Sequence, residues 1–396
     1  MVFNITTNNV IQYLINSGIC SVEEALSAKF NCPIKGNNFN IVINLTENHQ
    51  LHLKQERQRP HQKPTHEFFH ELKFHQLLQQ FANLDRFAEF TTPAIHIDEE
   101  NSILVYPYLS DYLDLASFYQ QSRVFPTEIA AALGTALGVL HRDTMNSQLY
   151  KNFIAQAPEG RFYYDYENPA QGIGPIEPEM FGSIPIDAIR LFVLCQRYHS
   201  LSGAIADLSH NWRPCCLTHN NLQLDNILVK PGESIESEMV KLIDWEEANW
   251  GDPAYDLGKL LAGYLGIWLN SLVIDPSLET EECLLLAATP MEILQPSIVS
   301  LTQGYLSAFG SILQYQADFL HRVIQFAGIA LMEKIQVMIH DDTHFDNRGI
   351  CMLQFAKSLI CRPQHSMMTV FGTTEAEVII PKKFKNEQIL DFRCGI

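Results

Sequence analysis

The chain has 396 residues, 46% of them hydrophobic, which is enough apolar material for a sizeable core and for two or three domains. Its 27 basic and 45 acidic residues give a net charge of −18, which argues against nonspecific binding to DNA or to anionic membranes. This charge could attract a cationic substrate, although simple solubility already accounts for it. We therefore expect neither a nucleic acid nor a membrane as a partner.

Cysteine usage and the N-terminal sequence predict a cytoplasmic protein. The nine cysteines include no C-x-x-C pair, and their odd number argues against a disulfide framework. The first residues lack the basic start and the small-residue cleavage site of a secretory signal. The most apolar run, Leu260–Ile274, is interrupted by Asn270 and Ser271, and it is too short to span a bilayer.

The first third of the chain predicts helix, strands and helix in that order. Apolar residues recur at helical spacing in "VIQYLINSG", which ends in Gly18. The segments "NFNIVINL" and "QLHLKQE" alternate like two strands joined by the turn-like "TENH". An amphipathic helix follows in "THEFFHELKFHQLLQQF", with Thr65 as its N-cap, and "NSILVYPYL" predicts a further strand.

The remainder of the chain is predicted to be mainly helical. "PTEIAAALGTALGVLHR" opens with Pro126 and Thr127, which suit a helix start, and His321–Ile339 predicts a second buried helix. Between them, a turn-rich stretch from Tyr150 to about Ile184 predicts an irregular insertion.

These elements predict an α+β protein with two lobes. Residues 1–105 form a small strand-rich N-terminal lobe, and residues 106–110 form a hinge. Residues 111–372 form a larger helical lobe, and residues 373–396 form a polar, lysine-bearing tail.

The chemistry-bearing residues are concentrated in two segments of the helical lobe. His219, Asn221 and Asn226 have the spacing H-x-N-x-x-x-x-N in "HNNLQLDN", directly before the apolar "ILV". Eighteen residues after Asn226, the apolar strand of "KLIDWEEANWGDPAYDLGKLL" ends in Asp244. Two short strands would deliver Asn226 and Asp244 side by side, and an amide oxygen with a carboxylate suits Mg²⁺.

Together these motifs resemble the signature of the aminoglycoside phosphotransferase and choline kinase family of protein-kinase-like enzymes. That signature is H-x-D-x-x-x-x-N, then I-D-W/F-E, then G-D-P-x-x-D-L-A. This chain has "HNNLQLDN", "IDWEEA" and "GDPAYDLG" in the same order. The resemblance implies a bilobal protein-kinase-like fold, use of ATP and Mg²⁺, and phosphoryl transfer to a hydroxyl group.

The resemblance also implies roles for individual residues. Asn226 and Asp244 correspond to the two metal ligands, and His219 to the residue that braces the catalytic loop. Two further acids correspond to the buried residues that tie this loop to the next helix: Asp252 and Asp256. For Trp245 and Glu246, which follow Asp244, we expect a packing role.

The N-terminal lobe contains matching residues for nucleotide binding. Lys54 in "LHLKQE" resembles the strand lysine that contacts the α- and β-phosphates, and Glu71 resembles its partner on the helix, with Glu67 as the reserve choice. The alternative for a lone lysine and glutamate is a surface ion pair.

"LVYPYL" resembles the hinge that binds adenine. There Pro107 would offer its carbonyl and Leu109 its N–H, so a proline is tolerable. In the N-terminal lobe, the segment expected to contact the nucleotide phosphates is "KGNNFNIVI". It contains one glycine, Gly36, and no G-x-G-x-x-G, and the chain has no Walker A motif.

A remote alternative is a zinc hydrolase. "HEFFH" at 66–70 fits H-E-x-x-H, which places two histidines on one helix face with Glu67 as the base. The third ligand is undecided, because His75 is too near to extend the motif and Glu89, Glu99 or Glu100 would have to serve instead. The kinase scheme also uses this helix for Glu71.

The position of Asn221 raises the question of turnover, because the family has an aspartate there to accept the proton of the substrate hydroxyl. An asparagine can hydrogen-bond that hydroxyl but cannot accept its proton. The protein is therefore a slow or differently assisted kinase, a pseudokinase that binds nucleotide or serves as a scaffold, or a chain with an engineered substitution. The intact metal ligands favour a phosphotransferase.

The acceptor pocket is expected in the helical lobe, including the aromatic and acidic stretch "GRFYYDYENPAQG". The acceptor is a small molecule or a peptide Ser or Thr. The "SLETEECLLLAATPMEILQPSIVSL" segment and the overall layout also resemble kinases of bacterial peptide-modifying clusters, including the class V lanthipeptide type. That second resemblance implies a partner modification enzyme, a separate lyase that eliminates the phosphate.

Overall fold

An antiparallel sheet of five strands forms the centre of the N-terminal lobe in the computed structural model. The structure describes residues 3–31, 38–57, 67–156, 168–172, 186–232, 236–273, 286–342 and 345–379. The spatial order of the strands is β1-β2-β3-β5-β4. In chain order they are β1 (Lys29–Phe30), β2 (Phe39–Thr46), β3 (His49–Gln55), β4 (His96–Asp98) and β5 (Ile103–Pro107).

Helices cover both faces of this sheet, since its strands alternate in the way that the sequence predicts. The helices of this lobe are α1 (Val10–Asn16), α2 (Val22–Leu26), α3 (Glu67–Gln80) and α4 (Asp85–Ala88), of which α4 packs towards the larger lobe. On the outer face, Ile41, Leu53 and Val105 pack with Leu14 of α1. On the inner face, Leu104 packs with residues of α3. The predicted helices and strands of this lobe are confirmed, while the proposed N-cap Thr65 and the loop residue Gly36 lie outside the described residues.

The register of β2 and β3 determines which side chains face the second lobe. Asn40 is paired with Lys54, and Val42 with His52. Because neighbouring residues of a strand point to opposite faces, Lys54 lies on the inner face while Leu53 lies in the outer core. This places the lysine over the junction between the lobes.

The C-terminal lobe is mainly helical. Its helices are α5 (Leu115–Ser122), α6 (Thr127–Thr144), α7 (Gln148–Ala155), α8 (Ile186–Arg197), α9 (His199–His210), α10 (Glu236–Met239), α11 (Pro253–Asn270), α12 (Met291–Phe309), α13 (Ile312–Tyr315), α14 (Phe319–Asp342), α15 (Asn347–Cys361), α16 (Pro363–Phe371) and α17 (Glu375–Ile379). Its strands are β6 (Leu113–Asp114), β7 (Cys216–Thr218), β8 (Ile227–Val229), β9 (Val240–Leu242) and β10 (Asn249–Gly251). The predicted α+β fold with two lobes is confirmed.

Helices α6 and α12 cross at a contact that only glycine permits. A Cβ atom on Gly134 would lie 1.9 Å from the carbonyl oxygen of Leu301, and one on Gly304 would lie 2.3 Å from that of Ala131. The two backbones therefore touch directly, and the crossing anchors the core of the larger lobe.

The structure corrects the prediction of an irregular region beginning at Tyr150. Residues Gln148–Ala155 form α7, in which Ser147 accepts a hydrogen bond from the backbone of Tyr150 as the N-cap. Tyr150 and Ile154 are four residues apart on one helix face and are buried. The helix thus takes its stability from packing, and the turn-forming residues that suggested a loop all come after it. Most of the predicted insertion, 157–167 and 173–185, lies outside the described residues.

One helix, at Phe319–His340, is long and apolar enough to cross a membrane by length and composition alone. It packs against α11, α15 and α16 inside the larger lobe. Core helices of other proteins have the same length and apolar composition. The burial of this helix agrees with the buried helix predicted at His321–Ile339.

Candidate active site

Lys54 is the centre of an ion cluster that joins three distant segments of the chain. Its ammonium group lies 2.8 Å from the carboxylate of Glu71 on α3 and 2.5 Å from that of Asp244. Burial alone would lower the pKa of Lys54, but Glu71 and Asp244 raise it well above its usual value. The surface ion pair that sequence reasoning left open is excluded, because Lys54 and Glu71 are both buried.

Glu246 is a member of this cluster that the sequence analysis missed. Its carboxylate lies 2.6 Å from the Lys54 ammonium, so the expected packing role is wrong for this residue. Burial and the neighbouring Asp244 raise the pKa of Glu246 to about 7, although Lys54 acts in the opposite direction. Glu246 lies two residues after Asp244, and nothing in the sequence distinguishes it there from a solvated acid.

The cluster has more negative than positive charge. Glu71, Asp244 and Glu246 have carboxylate oxygens within 4.8 Å of one another, and within the described part of the chain this is the one such group that could hold a metal ion. With all three ionised, a single ammonium leaves two negative charges uncompensated in a mostly buried site. Hard oxygen ligands with excess negative charge suit a divalent cation such as Mg²⁺.

Two short antiparallel strands bring Asn226 next to the segment of Asp244. Ile227 of β8 is paired with Leu242 of β9, and the backbone N–H of Ile243 donates to the carbonyl of Asn226 at 3.0 Å. Asn226 directly precedes β8 and Asp244 follows β9, so the two residues lie at the same end of the strand pair. The side-chain Nδ2 of Asn226 donates to the carbonyl of Asn221 at 2.9 Å, which leaves Oδ1 on the other side of the amide.

Asp244 has an unusual backbone conformation. Its φ is +66°, in the left-handed region that side chains other than glycine rarely adopt. Such conformations cost on the order of 1–3 kcal/mol and are concentrated at functional sites. Burial alone would raise the pKa of Asp244, but Lys54 lowers it below its usual value, so the carboxylate stays ionised.

His219 connects the loop of Asn221 to the strand that ends at Asp244. Its Nε2 donates to the carbonyl of Ile243 at 2.9 Å, while Nδ1 accepts the backbone N–H of Asn221 at 3.3 Å. One donor and one acceptor define a neutral ring. Burial lowers the pKa of His219, which agrees with this state.

Asp256, on the first turn of α11, forms hydrogen bonds with the backbone of the same loop. Its carboxylate accepts the backbone N–H groups of His219 and Asn220 at 2.7 and 2.8 Å, and it also accepts a hydrogen bond from His141 at 3.2 Å. Burial would raise the pKa of Asp256, but these partners lower it. The loop is therefore fixed by a buried charge.

Asp252 fixes the start of α11. As its N-cap it accepts the backbone N–H of Ala254 at 3.1 Å, and its other oxygen accepts that of Arg213 at 2.9 Å. It also forms a buried ion pair with Arg322 of α14. Asp252 thus joins the loop region to the core helix α14.

Trp245 supports the site from the core, in agreement with its predicted packing role. Its indole stacks on Phe74 of α3 with ring centroids 3.8 Å apart and lies 4.3 Å from the ring of His219. Its N–H donates to the carbonyl of Leu242. The segment that follows Asp244 and helix α3 are therefore packed against each other.

The predicted hinge, 106–110, begins within β5, because Tyr106 and Pro107 are the last two residues of that strand. Tyr106 is buried, whereas Pro107 and Leu109 are partly exposed at the end of the sheet. Between them, the backbone N–H of Tyr108 donates to the carbonyl of Gln50 at 2.8 Å, and the carbonyl of Leu109 accepts the N–H of Tyr112. The N–H of Tyr108 is thus occupied, while no strand or turn hydrogen bond among the described residues uses the N–H of Leu109.

Of the residues of the H-E-x-x-H motif, Glu67 lies near the kinase-like cluster. It accepts a hydrogen bond from the side chain of Asn38, which also lies 3.5 Å from Glu246. His66 lies outside the described residues. No described histidine belongs to the group of candidate metal ligands.

A strand lysine paired with a helix glutamate and facing the acid after β9 defines the site of a protein-kinase-like phosphotransferase. The model of the phosphotransferase enzyme family matches residues 40–282, more than half of the chain. The chain belongs to this family, whose reaction class is phosphoryl transfer to a hydroxyl acceptor, as its motifs predict. A comparison with curated proteins returned no match.

Solved structures of kinases share this fold. The Plasmodium vivax ethanolamine kinase aligns with a TM-score of 0.51 at 14% identity, covering 90% of each chain. Amicoumacin kinase, in complex with AMP-PNP, Ca²⁺ and Ami, aligns with a TM-score of 0.51 at 12% identity, covering 90% of this chain and 96% of the other. A choline kinase from Streptococcus pneumoniae aligns with a TM-score of 0.43 at 14% identity, covering 89% and 98%. At these identities the likeness to the ethanolamine kinase and to amicoumacin kinase shows the fold alone.

Proposed function

We propose that the protein is an ATP- and Mg²⁺-dependent phosphotransferase that phosphorylates a hydroxyl group of a small molecule or of a peptide Ser or Thr. The observation that carries this proposal is the contact of Lys54 with both Glu71 and Asp244. A strand, a helix and a loop far apart in sequence meet there. A lysine held between acids at the lobe junction suits triphosphate binding.

Three residues would hold the metal ion: Asn226 through Oδ1, and Asp244 and Glu246 through their carboxylates. The excess negative charge around Lys54 supports this assignment. When bound, Mg²⁺ neutralises charge on the phosphates and so lowers the barrier to transfer. Lys54, held by Glu71, would then contact the α- and β-phosphates.

The hinge would bind the base of the nucleotide. Pro107 would accept through its carbonyl and Leu109 would donate its N–H, since Pro107 has no N–H of its own. A cytoplasmic location, where ATP and Mg²⁺ are abundant, belongs to the same proposal.

Asn221 would position the hydroxyl of the acceptor without taking its proton. Its backbone is held by His219, and its Oδ1 accepts a hydrogen bond from Gln223 at 3.0 Å. In a loose transition state the proton leaves late, so electrostatic stabilisation by Lys54 and the metal supplies most of the catalysis. We therefore expect slow turnover with normal nucleotide binding.

The acceptor would bind against the helical lobe beside this loop. The residues predicted to line the pocket, 163–166, lie outside the described residues. Two structural neighbours are named as kinases of ethanolamine and amicoumacin, which supports a small-molecule acceptor first. A peptide acceptor that is passed to a partner lyase is the second candidate within this proposal.

A second function is favoured by Asn221 itself. Without a proton acceptor at this position, the same site suits a pseudokinase that binds nucleotide as a signal or a scaffold. Turnover separates the two functions, since both include nucleotide binding.

Calorimetry with ATP, with and without Mg²⁺, tests the proposal. We expect binding that depends on Mg²⁺, followed by slow ATP hydrolysis that an acceptor hydroxyl accelerates. Binding without any turnover would support the pseudokinase, and no binding under either condition would refute both nucleotide-dependent functions.

A further inference from the structure

A buried chain of hydrogen bonds connects His75 of helix α3 to Lys54. Nε2 of His75 lies 2.9 Å from the hydroxyl of Tyr106, and that hydroxyl lies 2.7 Å from Oε1 of Glu71. The other oxygen of Glu71, Oε2, accepts from Lys54 at 2.8 Å. The exposed fractions of His75, Tyr106 and Glu71 are 3%, 9% and 2%, so water does not compete for these bonds.

The direction of each bond follows from the chemistry of the groups. The carboxylate of Glu71 forms an ion pair with Lys54 through Oε2, so Tyr106 donates its single hydroxyl proton to the other oxygen, Oε1. The hydroxyl oxygen of Tyr106 must then accept from His75, which carries its proton on Nε2. Burial lowers the pKa of His75 and raises that of Tyr106, so both stay uncharged.

Helix α3 and strand β5 supply the residues of this hydrogen-bond chain. Glu71 and His75 are four residues apart on α3 and therefore share one helix face. Tyr106 and Leu104 share the inner face of β5, where Leu104 is paired with Lys54. The helix and the sheet thus bring these groups together. The hydrogen bonds fix α3 in the position in which Glu71 contacts Lys54.

A carboxylate with one oxygen on Lys54 needs a second partner to fix its rotation. Glu71 would otherwise turn freely about its last torsion, because this sp³–sp² rotation is broad. Tyr106 removes that freedom by holding Oε1, and His75 in turn fixes the hydroxyl of Tyr106. Both oxygens of Glu71 are thereby assigned, and Lys54 is held in one place.

We propose that Tyr106 and His75 are positioning residues of the phosphoryl-transfer site, which orient Glu71 so that Lys54 faces the phosphates of the nucleotide. The inference rests on the proposed function, and it adds two residues that act through Glu71. Tyr106 also immediately precedes the hinge residue Pro107. The same residue therefore links the base-binding end of the site to its phosphate-binding end.

Substitution of Tyr106 by phenylalanine tests the proposal, because it removes the hydroxyl and keeps the ring. We expect Tyr106→Phe to weaken the binding of Mg-ATP about tenfold, the order expected for a hydrogen bond to a charged group. Adenosine lacks phosphates and does not depend on Lys54, so its affinity should not change. Calorimetry with both ligands measures this difference.

Two outcomes would overturn the proposal. An equal loss of affinity for ATP and adenosine would show that Tyr106 acts on the base pocket or on the fold. Unchanged affinity for both would show that its hydroxyl has no part in positioning. Tyr119→Phe is the matched control, since it removes a buried hydroxyl that lies 2.7 Å from that of Tyr264. It should lower thermal stability and leave both affinities unchanged.

Variants of His75 test the second residue and cover the case in which Tyr106→Phe does not fold. His75→Gln keeps an N–H donor, whereas His75→Leu has none. We expect His75→Leu to weaken ATP binding selectively and His75→Gln to restore it. Identical affinities of the two variants would refute a role for the hydrogen bond.

A double-mutant cycle with Lys54→Met separates positioning from other effects. If Tyr106 acts through Glu71 and Lys54, Tyr106→Phe should cause no further loss of ATP affinity in the Lys54→Met protein. An additive loss would refute the coupling. The proposed function is tested separately by the wild-type protein, whose failure to bind Mg-ATP would refute that function before any variant is compared.

Discussion

The side chain of Asn226 donates a hydrogen bond to the backbone carbonyl of Asn221, 2.9 Å away. This bond joins the backbone of Asn221, which stands where the family motif has an aspartate, to a proposed metal ligand. The side chain of Asn221 is not involved, so it can be changed without loosening Asn226. Proton acceptance at position 221 and metal binding at Asn226 can therefore be tested independently.

The first prediction concerns the missing proton acceptor. Asn221→Asp has nearly the same shape, and its carboxylate can still accept the hydrogen bond from Gln223 that Asn221 accepts at 3.0 Å. General-base assistance is worth about 10²–10⁴ in rate, so we expect ATP hydrolysis or transfer to rise towards this range. The affinity for Mg-ATP should change little. Steady-state kinetics and calorimetry measure the two quantities.

Asn221→Ala is the control for this substitution, because it removes hydrogen bonding and adds no base. Its rate should not exceed that of the wild type. Equal rates for the wild type and Asn221→Asp would remove residue 221 from the mechanism.

The second prediction concerns the metal. Asp244→Ala removes an ionised carboxylate next to Lys54 and a proposed ligand, so nucleotide binding should lose its dependence on Mg²⁺. The matched control is Asp225→Ala, which removes an exposed carboxylate adjacent to Asn226. Calorimetry of Mg-ATP binding should show wild-type affinity for that control. Tight Mg-dependent binding by Asp244→Ala would discredit the metal assignment.

The third prediction concerns pH and Glu246. Burial raises the pKa of this carboxyl from 4.5 to about 7, so the folded protein binds its proton more tightly than the unfolded chain does. The resulting stabilisation is present below pH 4.5 and is lost as the pH rises towards 7. At about 1.4 kcal/mol per pH unit, it amounts to at most about 3 kcal/mol.

Glu246→Gln cannot ionise and should not lose this stability. Without metal, its free energy of unfolding should exceed that of the wild type at pH 8 by more than it does at pH 5. Urea denaturation of both proteins at the two pH values measures the difference, in which other titrating groups cancel. The same difference at both pH values would contradict the shifted pKa of Glu246.

Much of the fold and part of the site follow from local patterns in the sequence. The alternation of "NFNIVINL" and "QLHLKQE" predicted β2 and β3, and it placed Lys54 on a strand. The motifs around His219 and Asp244 identified the segments that meet, since their spacing encodes a strand pair. Local periodicity sufficed because these elements are regular and bury one face.

Other features depend on contacts that no spacing reveals. Glu246 reaches Lys54 through a tertiary contact, and a carboxylate at this position looks like any solvated acid in the sequence. The bond from Tyr106 to Glu71 joins a strand to a helix across 35 positions. Helix α7 was missed because turn-forming residues directly after it dominated the composition of the region.

The fourth prediction tests the packing that supports the larger lobe, using two glycines of opposite character. Gly134 faces the Leu301 carbonyl at the crossing of α6 and α12, so Gly134→Ala forces the helices apart and should lower the free energy of unfolding by about 1–3 kcal/mol or more. Gly203 lies inside α9 with no atom within 4 Å of an added Cβ. Gly203→Ala should therefore raise the free energy of unfolding by about 0.5–1 kcal/mol, since alanine restricts the unfolded chain and favours the helix. Urea denaturation of the three proteins distinguishes the sites, and a stabilising Gly134→Ala would show that the helices do not cross at this contact.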